Sequence, residues 1–380
     1  MIYKNFKDLK LSNLGVGMMR LPLKEDKITI DEEHAARMIE YAINNGINYF
    51  DTAWGYHGGE SEMVAGRLLS KYPRESYYLA SKFPGYDLSN MGKVEEIFER
   101  QLEKCQTEYF DFYLIHNVCE KNINEYLDPK YGTLDYLLKQ KENGRIKHFG
   151  FSVHGTLDVT KRFLEVYGKY MEFGQIQLNY LDYEFQDAKA KMELFKELGI
   201  PVWVMEPIRG GKLANVGEEN EARIKEIRND ETPVSFAFRF LQSFPEVTVI
   251  LSGMSSMDQL TDNIKTFEEA KPLNEDEMRK TLDLAKDMLS KNVLPCTECR
   301  YCTEYCPQKL EIPELISLYN EFNVTGGGFI APMRIETMAD DKKPSACIGC
   351  KSCEAVCPQN IKISEAMADF TNKLNGLGDK

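Results

Sequence analysis

Eight cysteines near the C-terminus occur in two copies of one pattern. Each copy reads C-x2-C-x2-C-x3-C-P. The cysteines are Cys296, Cys299, Cys302 and Cys306 in the first copy, and Cys347, Cys350, Cys353 and Cys357 in the second. This spacing is typical of a short loop that wraps its thiolates around one corner of an iron–sulfur cube. The two copies therefore predict two [4Fe–4S] clusters and a role in one-electron transfer.

Two other uses of these cysteines fit the chain poorly. A disulfide scaffold is typical of small secreted domains, whereas this chain has 380 residues and begins MIYKNFKDLKLSNLG, without a secretory pattern. Zinc sites usually combine two CxxC pairs that a longer loop separates. In two-cluster chains the fourth cysteine of a motif usually serves the other cluster. We therefore expect one cluster to be bound by Cys296, Cys299, Cys302 and Cys357. The other cluster would be bound by Cys347, Cys350, Cys353 and Cys306.

A second group of reactive side chains lies in the first third of the chain. Asp51 and Tyr56 occur in the word FDTAWGYHGGESE, Lys82 in LASKFP and His116 in YLIHNV. A tyrosine phenol has a pKa near ~10 in water, and a neighbouring lysine ammonium would stabilise its phenolate. An aspartate would hold that lysine, and a histidine would orient a substrate carbonyl or share the proton. The four residues together predict a proton donor for carbonyl reduction, although each alone has an ordinary structural explanation.

The elements that must position these residues alternate between short apolar runs and amphipathic stretches. The predicted strands are Leu14–Met18, Asn48–Thr52, Tyr77–Ser81, Phe112–His116, His148–Ser152, Gly174–Leu178, Val202–Met205 and Thr248–Ser252. The predicted helices include Asp31–Asn45, Val94–Lys104, Asp158–Tyr167, Lys189–Leu198, Pro233–Leu241 and Asp258–Thr266. Eight such units predict an α/β fold, a (β/α)8 TIM barrel with the reactive residues at the strand ends. A doubly wound open sheet is the alternative, but no G-x-G-x-x-G follows any strand.

The pattern changes after residue 285, which predicts a barrel over residues 1–285 and a second domain over residues 286–380. Cys296–Ile316 resembles Cys347–Met367, so the second domain contains two similar halves. In each half the cysteine loop leads through its proline into a short helix. The insert between the halves is long, and we therefore expect a small, mainly helical dicluster domain.

Composition limits the partners and the compartment. The net charge of −13 disfavours nucleic acid, because its phosphates would be repelled. No run approaches eighteen apolar residues, so we expect no membrane span. Clusters and free thiols fit a reducing environment, and we expect a cytoplasmic protein. Cys105 and Cys119 lie outside the motifs, and we expect both to be buried, unreactive thiols.

Residues 1–285 resemble the aldo-keto reductases, and the C-terminal region is similar to a ferredoxin with two [4Fe–4S] clusters. The family word D-T-A-x-x-Y-x-x-G-x-S-E is present from Asp51 to Glu62. The resemblance implies a catalytic tetrad of Asp51, Tyr56, Lys82 and His116, and a nicotinamide cofactor, NADP or NAD. The cofactor-binding residues that it implies are Ser152, Gln177, Met205, Ser252, Gly253, Ser255, Gln259 and Asn263.

Three positions depart from the family pattern. Val153 stands where many members have asparagine, and Met205 where many offer an aromatic ring to the nicotinamide. Gln259 stands where some members bind the 2′-phosphate of NADP with arginine. Arg209 or Lys212 could supply that charge instead, or they could simply belong to a glycine-rich turn.

The two regions together favour an oxidoreductase. The main hypothesis is NAD(P)H-linked reduction of a carbonyl compound, or alcohol oxidation, with Tyr56 as general acid. The clusters would then connect this site to ferredoxin or another one-electron carrier. Such coupling normally requires a flavin, for which the sequence contains no motif. One alternative is reduction driven by the clusters alone. The other is a subunit or docking platform of a redox complex, with a weakly active or non-catalytic barrel and clusters that are structural or pass electrons to a partner.

Overall fold

The protein was analysed as a computed structural model, which describes residues 1–290, 293–296 and 299–377. The chain divides into two compact units, Met1–Leu282 and Asp283–Lys380. The boundary expected after residue 285 falls in the helix Glu275–Ser290. The two units are described separately below.

The first unit is built around a closed barrel of parallel strands. Its strands are β1 (Tyr3–Phe6), β2 (Leu9–Ser12), β3 (Leu14–Gly17), β4 (Tyr49–Asp51), β5 (Tyr78–Phe83), β6 (Phe110–Val118), β7 (Ile146–Val153), β8 (Phe173–Gln177), β9 (Val202–Met205) and β10 (Val247–Ser252). Strands β3 to β10 close in the order β10-β3-β4-β5-β6-β7-β8-β9. The predicted (β/α)8 barrel is confirmed, and the open-sheet alternative is excluded. Because all eight strands are parallel, their carboxyl ends meet at one rim.

Helices surround the barrel strands and continue into the second unit. They are α1 (Glu32–Asn44), α2 (Ser61–Leu69), α3 (Val94–Cys105), α4 (Ile123–Leu127), α5 (Thr133–Glu142), α6 (Leu157–Tyr167), α7 (Asp182–Phe185), α8 (Ala188–Glu197), α9 (Glu218–Ile227), α10 (Pro233–Gln242), α11 (Met257–Thr266), α12 (Glu275–Ser290), α13 (Tyr301–Glu304), α14 (Ile312–Thr325), α15 (Ile330–Glu336), α16 (Ser352–Ala355) and α17 (Ile363–Asn375). The Asp31 side chain accepts the His34 N–H at the start of α1, as an N-cap residue does. None of the described helices is long and apolar enough to span a bilayer.

An N-terminal hairpin was missing from the sequence-based prediction. Strands β1 and β2 pair antiparallel, and Phe6 and Leu11 are buried with the residues that fill the barrel interior. The Phe6 ring lies 5.1 Å from Trp203 and 5.8 Å from Phe112, between ring centroids. The hairpin therefore supplies apolar side chains to the barrel core. Two four-residue strands leave too weak a period-two pattern for recognition in the sequence.

A charged cluster connects this hairpin to the barrel. The Glu172 carboxylate accepts hydrogen bonds from Lys7 in the hairpin turn, from Lys141 and from His148 Nδ1, the last at 2.8 Å. Burial alone would raise the pKa of Glu172, but these hydrogen bonds outweigh it and lower the pKa to about 2. The carboxylate therefore stabilises the fold above its ordinary pKa of 4.5, and this contribution disappears as the pH falls from 4.5 towards about 2.

Glu172→Gln should lower the melting temperature at pH 7, with a loss of about 1–3 kcal/mol in unfolding free energy, because one pKa unit corresponds to about 1.4 kcal/mol. The difference from wild type should shrink as the pH falls below 4.5. Thermal unfolding followed by circular dichroism between pH 7 and pH 3 measures both effects. Glu33→Gln is the control, because Glu33 is exposed and pairs with Arg37 within one helix. Equal melting temperatures of wild type and Glu172→Gln at pH 7 would contradict the conclusion that the Glu172 carboxylate stabilises the fold.

The second unit is mainly helical, as predicted, and its two halves share backbone conformations. No strand occurs among residues 283–290, 293–296 and 299–377. Arg300 and Lys351 both have positive φ, 64° and 62°, immediately before α13 and α16. Lys309 and Asn360 repeat this correspondence with φ of 50° and 53°. The internal repeat recognised in the sequence is therefore also a structural repeat. Its two halves enclose one apolar core formed mainly by α14 and α17.

Candidate functional site

A cavity of about 820 Å³ opens at the rim where the carboxyl ends of the barrel strands meet. Its lining includes the strand-end residues Gly17, Asp51, Met205 and Ser252, together with Tyr56. This is the rim that carries the active sites of TIM-barrel enzymes, and the volume suits an organic ligand. The cavity is therefore the candidate active site.

Three of the four predicted tetrad residues are joined by hydrogen bonds through Lys82. Its ammonium donates to Asp51 Oδ1 at 2.5 Å and to the Thr52 carbonyl at 2.8 Å. It also lies 3.4 Å from the Tyr56 hydroxyl. The Lys82 side chain is completely buried and that of Asp51 is 3% exposed, so water does not compete for these contacts. The arrangement holds a cation directly beside the phenol that lines the cavity.

The charge states of this group follow from burial and from its neighbours. Burial alone would lower the pKa of Lys82, but Asp51 and Tyr56 outweigh burial and raise it, so the ammonium stays protonated. Burial raises the pKa of Tyr56, and the nearby Lys82 only partly offsets this. Tyr56 is thus protonated at neutral pH. Lys82 by itself favours the phenolate, as expected, and so lowers the pKa of Tyr56. Burial has the larger and opposite effect, so the net shift of this pKa is upwards.

His116 lies beside Tyr56 at the end of β6. The two rings meet edge to face with centroids 6.1 Å apart, and the Tyr86 ring contacts His116 in the same way at 5.1 Å. Burial, the positive Lys82 and then His154 lower the pKa of His116 well below its ordinary value. The imidazole is therefore neutral at pH 7. Its buried Nδ1 has no hydrogen-bond partner among the residues that the structure describes.

A buried polar network holds the strand that carries Lys82. The Gln101 amide donates to the Lys82 carbonyl at 3.0 Å and to Glu62 Oε1 at 2.6 Å. Ser81 also donates to Glu62 Oε1, and Lys104 donates to its Oε2 at 3.0 Å. Glu62 and Gln101 are fully buried. The final glutamate of the D-T-A-x-x-Y-x-x-G-x-S-E word therefore fixes the backbone behind the lysine.

Most of the predicted cofactor-binding residues line the same cavity. They are Met205, Ser252, Gly253, Ser255, Gln259 and Asn263. Asn263 donates to Ser252 Oγ at 3.1 Å, and Ser256 caps α11 directly after the loop. A Cβ at Gly253 would lie 3.0 Å from the Arg20 side chain, so a residue without a side chain keeps this part of the loop accessible. Loop and helix N-terminus together form an anion-binding geometry.

Ser152 and Gln177 lie outside the cavity lining. Ser152 is buried, and its Oγ accepts the Asn117 N–H at 2.8 Å. The Gln177 amide donates to Asp182 Oδ2 at 2.8 Å. Gln175, two residues earlier on β8, lines the cavity instead, and its buried Oε1 has no hydrogen-bond partner in the described part of the chain. Residues two apart on a strand point the same way, so the sequence pattern did not distinguish the two glutamines.

In the second unit, cysteines from both motifs line one small cavity. They are Cys306 from the first motif and Cys347, Cys350 and Cys353 from the second. Apolar residues such as Leu310 and Met367 complete the wall. No group of three His, Cys, Asp or Glu side chains in the described part of the chain converges as closely as a single metal ion would require. Thiol donors around one cavity are the ligand type that iron–sulfur clusters use.

The other predicted ligand set is described only partly, because residues 297 and 298 lie outside the described ranges. Cys296 and Cys299 act electrostatically on Cys302 and raise its pKa further, after burial as the main cause. Cys357 packs against the apolar core that also contains Cys302. The donor chemistry of this set therefore fits a second [4Fe–4S] cluster.

Comparisons with known proteins agree with this architecture. The model of the Aldo/keto reductase family matches residues 13–285. The chain belongs to the aldo-keto reductase family. A 4Fe-4S dicluster domain matches residues 295–362 of this aldo-keto reductase. It is therefore an oxidoreductase of this family that carries a dicluster iron–sulfur domain.

Individual relatives match about three-quarters of the chain. The oxidoreductase YqkF of Bacillus subtilis is 24% identical over 303 residues, which cover 72% of this chain and 92% of that protein. The holo form of an aldo-keto reductase from Bacillus halodurans is 25% identical with a TM-score of 0.59, and the match covers 75% of this chain and 96% of that one. An aldo-keto reductase from Klebsiella pneumoniae in complex with NADPH has the same fold, at 18% identity, a TM-score of 0.59 and the same coverage.

The structure of this aldo-keto reductase adds two charged residues to the site. Arg20 lies over Gly253, and its backbone carbonyl accepts the Ser255 hydroxyl at 2.8 Å. Glu206, with φ of 55°, lines the cavity directly after β9. Neither residue stands in a motif of the sequence, and only their position at the rim reveals them.

The two cations considered for the cofactor phosphate lie elsewhere in this aldo-keto reductase. Arg209 is 4% exposed, and one of its guanidinium nitrogens lies 3.0 Å from the buried Asp182. Lys212 is exposed and does not line the cavity. Arg209 therefore belongs to an internal ion pair. Cys105 and Cys119 are buried as expected, and burial raises the pKa of both thiols.

Proposed function

We propose that this aldo-keto reductase catalyses NAD(P)H-linked reduction of a small carbonyl compound, or the reverse oxidation of an alcohol, with Tyr56 as general acid. The observation that carries the proposal is the position of Lys82 Nζ, 2.5 Å from Asp51 Oδ1 and 3.4 Å from the Tyr56 hydroxyl. A buried cation at this place stabilises the negative charge that develops on the phenol oxygen as its proton leaves. Asp51 keeps that cation charged and in place.

His116 would orient the substrate. Its imidazole is neutral, so one ring nitrogen can donate a hydrogen bond to the carbonyl oxygen while Tyr56 supplies the proton. Packing against Tyr56 and Tyr86 fixes the ring orientation. Two donors converging on one oxygen would place the carbonyl carbon towards the cavity.

The cavity residues fit a nicotinamide dinucleotide. The unpartnered Gln175 Oε1 can accept from a carboxamide, and Met205 can pack on the ring. The loop from Ser252 to Ser255 and the N-terminus of α11 suit a pyrophosphate. The cofactor, when bound, supplies the hydride. On this basis we assign the carboxamide contact to Gln175 and not to Gln177.

The eight motif cysteines would hold two [4Fe–4S] clusters that exchange electrons with ferredoxin or another one-electron carrier. The support is the exposure of Cys299 and Cys350, because each motif presents one thiol at the surface. A cluster with an exposed edge allows electron transfer to a docked protein. The shared cavity of Cys306, Cys347, Cys350 and Cys353 supports ligands taken from both motifs.

The test is an anaerobic assay of the purified protein with NADH or NADPH and a panel of small aldehydes and ketones. We expect cofactor oxidation that depends on the carbonyl compound and that Lys82→Met abolishes. Lys130→Met is the control, because Lys130 is exposed, pairs with Asp128 and does not line the cavity. Activity with neither cofactor on any compound would reject the proposal, as would an undiminished rate in Lys82→Met.

A further inference from the structure

The contact between Lys82 and Tyr56, on which the proposed proton transfer depends, lies at the long limit of a hydrogen bond. It measures 3.4 Å, whereas nitrogen–oxygen hydrogen bonds usually span about 2.7–3.2 Å. Tyr56 lies in the turn after β4 and Lys82 on β5, so both segments must be held for the contact to persist. Misplacing a reacting group by about 1 Å can lower a rate about 10²-fold. The residues that hold these two segments therefore affect catalysis.

Helix α3 holds the strand of Lys82 through Gln101. The Gln101 side chain is fully buried, and its amide nitrogen donates to the Lys82 carbonyl and to Ser81 Oγ, both at 3.0 Å. Its amide oxygen accepts the Tyr113 hydroxyl at 2.6 Å, which fixes the orientation of the amide. Because Tyr113 lies on β6, Gln101 joins α3 to two neighbouring barrel strands. The backbone at Lys82 is thus tied to the helix.

The same helix holds the loop of Tyr56 through Lys104. The Lys104 ammonium lies 3.0 Å from Glu62 Oε2 and 4.3 Å from the centre of the Trp54 ring. The Glu62 side chain is completely buried and that of Lys104 is 10% exposed, so solvent ions screen their attraction only weakly. Trp54 precedes Tyr56 by two residues, and the face of its indole attracts the cation. Lys104 therefore holds the segment from Trp54 to Glu62 at both ends.

Helix α2, which continues this segment, packs closely on the end of α3. A Cβ at Gly66 would lie 2.4 Å from the Lys104 carbonyl, so only a residue without a side chain allows this approach. At the start of α2, Ser61 Oγ lies 2.9 Å from Thr52 Oγ1, and the Thr52 carbonyl accepts the Lys82 ammonium. The two helices are therefore fixed to each other and to the strand ends at the site.

We propose that Gln101 and Lys104 are positioning residues for the general acid, and that together they set the separation between Lys82 and Tyr56. The inference rests on the proposed function and adds two residues that do not line the cavity. Residues three apart on a helix lie on the same face, so α3 makes both contacts at once. One contact holds the strand of Lys82 and the other holds the loop of Tyr56. The rigid helix between them fixes the distance.

Steady-state kinetics of variants on both sides of α3 test this proposal. Gln101→Leu, Lys104→Met and Trp54→Leu should each lower kcat at least about tenfold and change KM by less than about threefold, because none of these residues lines the cavity. Lys104→Arg keeps the charge and Trp54→Phe keeps an aromatic face, so both should retain kcat within about threefold. Arg100→Met is the control on the same helix, because Arg100 is exposed and pairs with Glu103.

The pH profile of kcat separates positioning from a merely structural effect. Lys82 lowers the pKa of Tyr56, so a looser contact should raise this pKa and shift the ionisation of Tyr56 in the profile to higher pH. Circular dichroism and nucleotide titration show which variants are folded and bind the cofactor. Trp54→Leu keeps the test valid if Lys104→Met does not fold, because it leaves the buried ion pair of Lys104 and Glu62 in place.

The outcomes separate this inference from the function on which it rests. A folded Gln101→Leu protein with kcat within about twofold of wild type would overturn the assignment of Gln101, and the same result for Trp54→Leu would overturn that of Lys104. A lower kcat with an unchanged pH profile would overturn both assignments. In each of these cases a loss of activity in Lys82→Met would still support the proposed function. A wild-type protein without carbonyl reduction would overturn the function and the inference together.

Discussion

Replacing Tyr56 with phenylalanine should lower the rate of carbonyl reduction by about 10²–10⁴-fold, the usual contribution of a positioned general acid. The phenyl ring keeps the packing against His116, whose ring centroid lies 6.1 Å away, and removes only the hydroxyl beside Lys82. Dinucleotide binding and cluster absorbance should stay unchanged. Steady-state cofactor oxidation, together with nucleotide titration, measures the loss of the chemical step separately from binding.

Tyr183→Phe is the matched control for this change. Tyr183 is a partly buried tyrosine that packs against Phe240 and Phe244 and does not line the cavity, so its hydroxyl should not affect the rate. A rate of Tyr56→Phe within about twofold of wild type would exclude Tyr56 as the proton donor. An equal loss in both variants would indicate a general effect on folding instead.

Replacing Cys306 with serine should remove the cluster that the second motif holds. Cys306 shares a cavity with Cys347, Cys350 and Cys353, so its thiolate is expected to be the fourth ligand of that cluster. The iron content should fall from about eight to about four atoms per chain, since each [4Fe–4S] cluster contains four. Iron analysis and electron paramagnetic resonance of the reduced protein measure the loss and identify the remaining cluster.

Comparison among cysteine variants tests the crossed ligation, in which each cluster takes its fourth ligand from the other motif. The spectrum of Cys306→Ser should match that of Cys347→Ser and differ from that of Cys296→Ser. Cys119→Ser should retain all iron, because Cys119 is a buried thiol of the barrel unit. If Cys306→Ser instead matched Cys296→Ser, each motif would hold its own cluster and the crossed arrangement would be wrong.

The clusters raise a chemical question that the barrel alone does not. Hydride transfer from a nicotinamide moves two electrons together and needs no iron, whereas each cluster accepts one. The described residues contain a hydrogen-bonded group of Asp51, Lys82 and Tyr56 at the barrel rim and a thiol-lined cavity in the second unit. Reduction of the clusters by NADH, measured by their absorbance, would show that the two functions are coupled.

Much of this protein could be predicted from its sequence, because the relevant signals are local. The predicted strand Phe112–His116 is a short, mainly apolar run inside the observed β6, Phe110–Val118, and helix ends carry residues such as Asp31 whose side chains cap them. All six predicted helices agree with the structure to within one residue at each end. The cysteine spacing and the word from Asp51 to Glu62 likewise depend only on neighbouring residues.

Only the tertiary structure decided the features that depend on contacts between distant segments. It placed Gln175 in the cavity and turned Gln177 towards Asp182, although a period of two gives both glutamines the same strand face. It also paired Arg209 with Asp182 inside the barrel unit, so that Arg209 does not line the cavity. Spacing along the chain determines which chemistry is available. Packing determines which side chains reach the same cavity, because burial and charge pairing act between residues far apart in sequence.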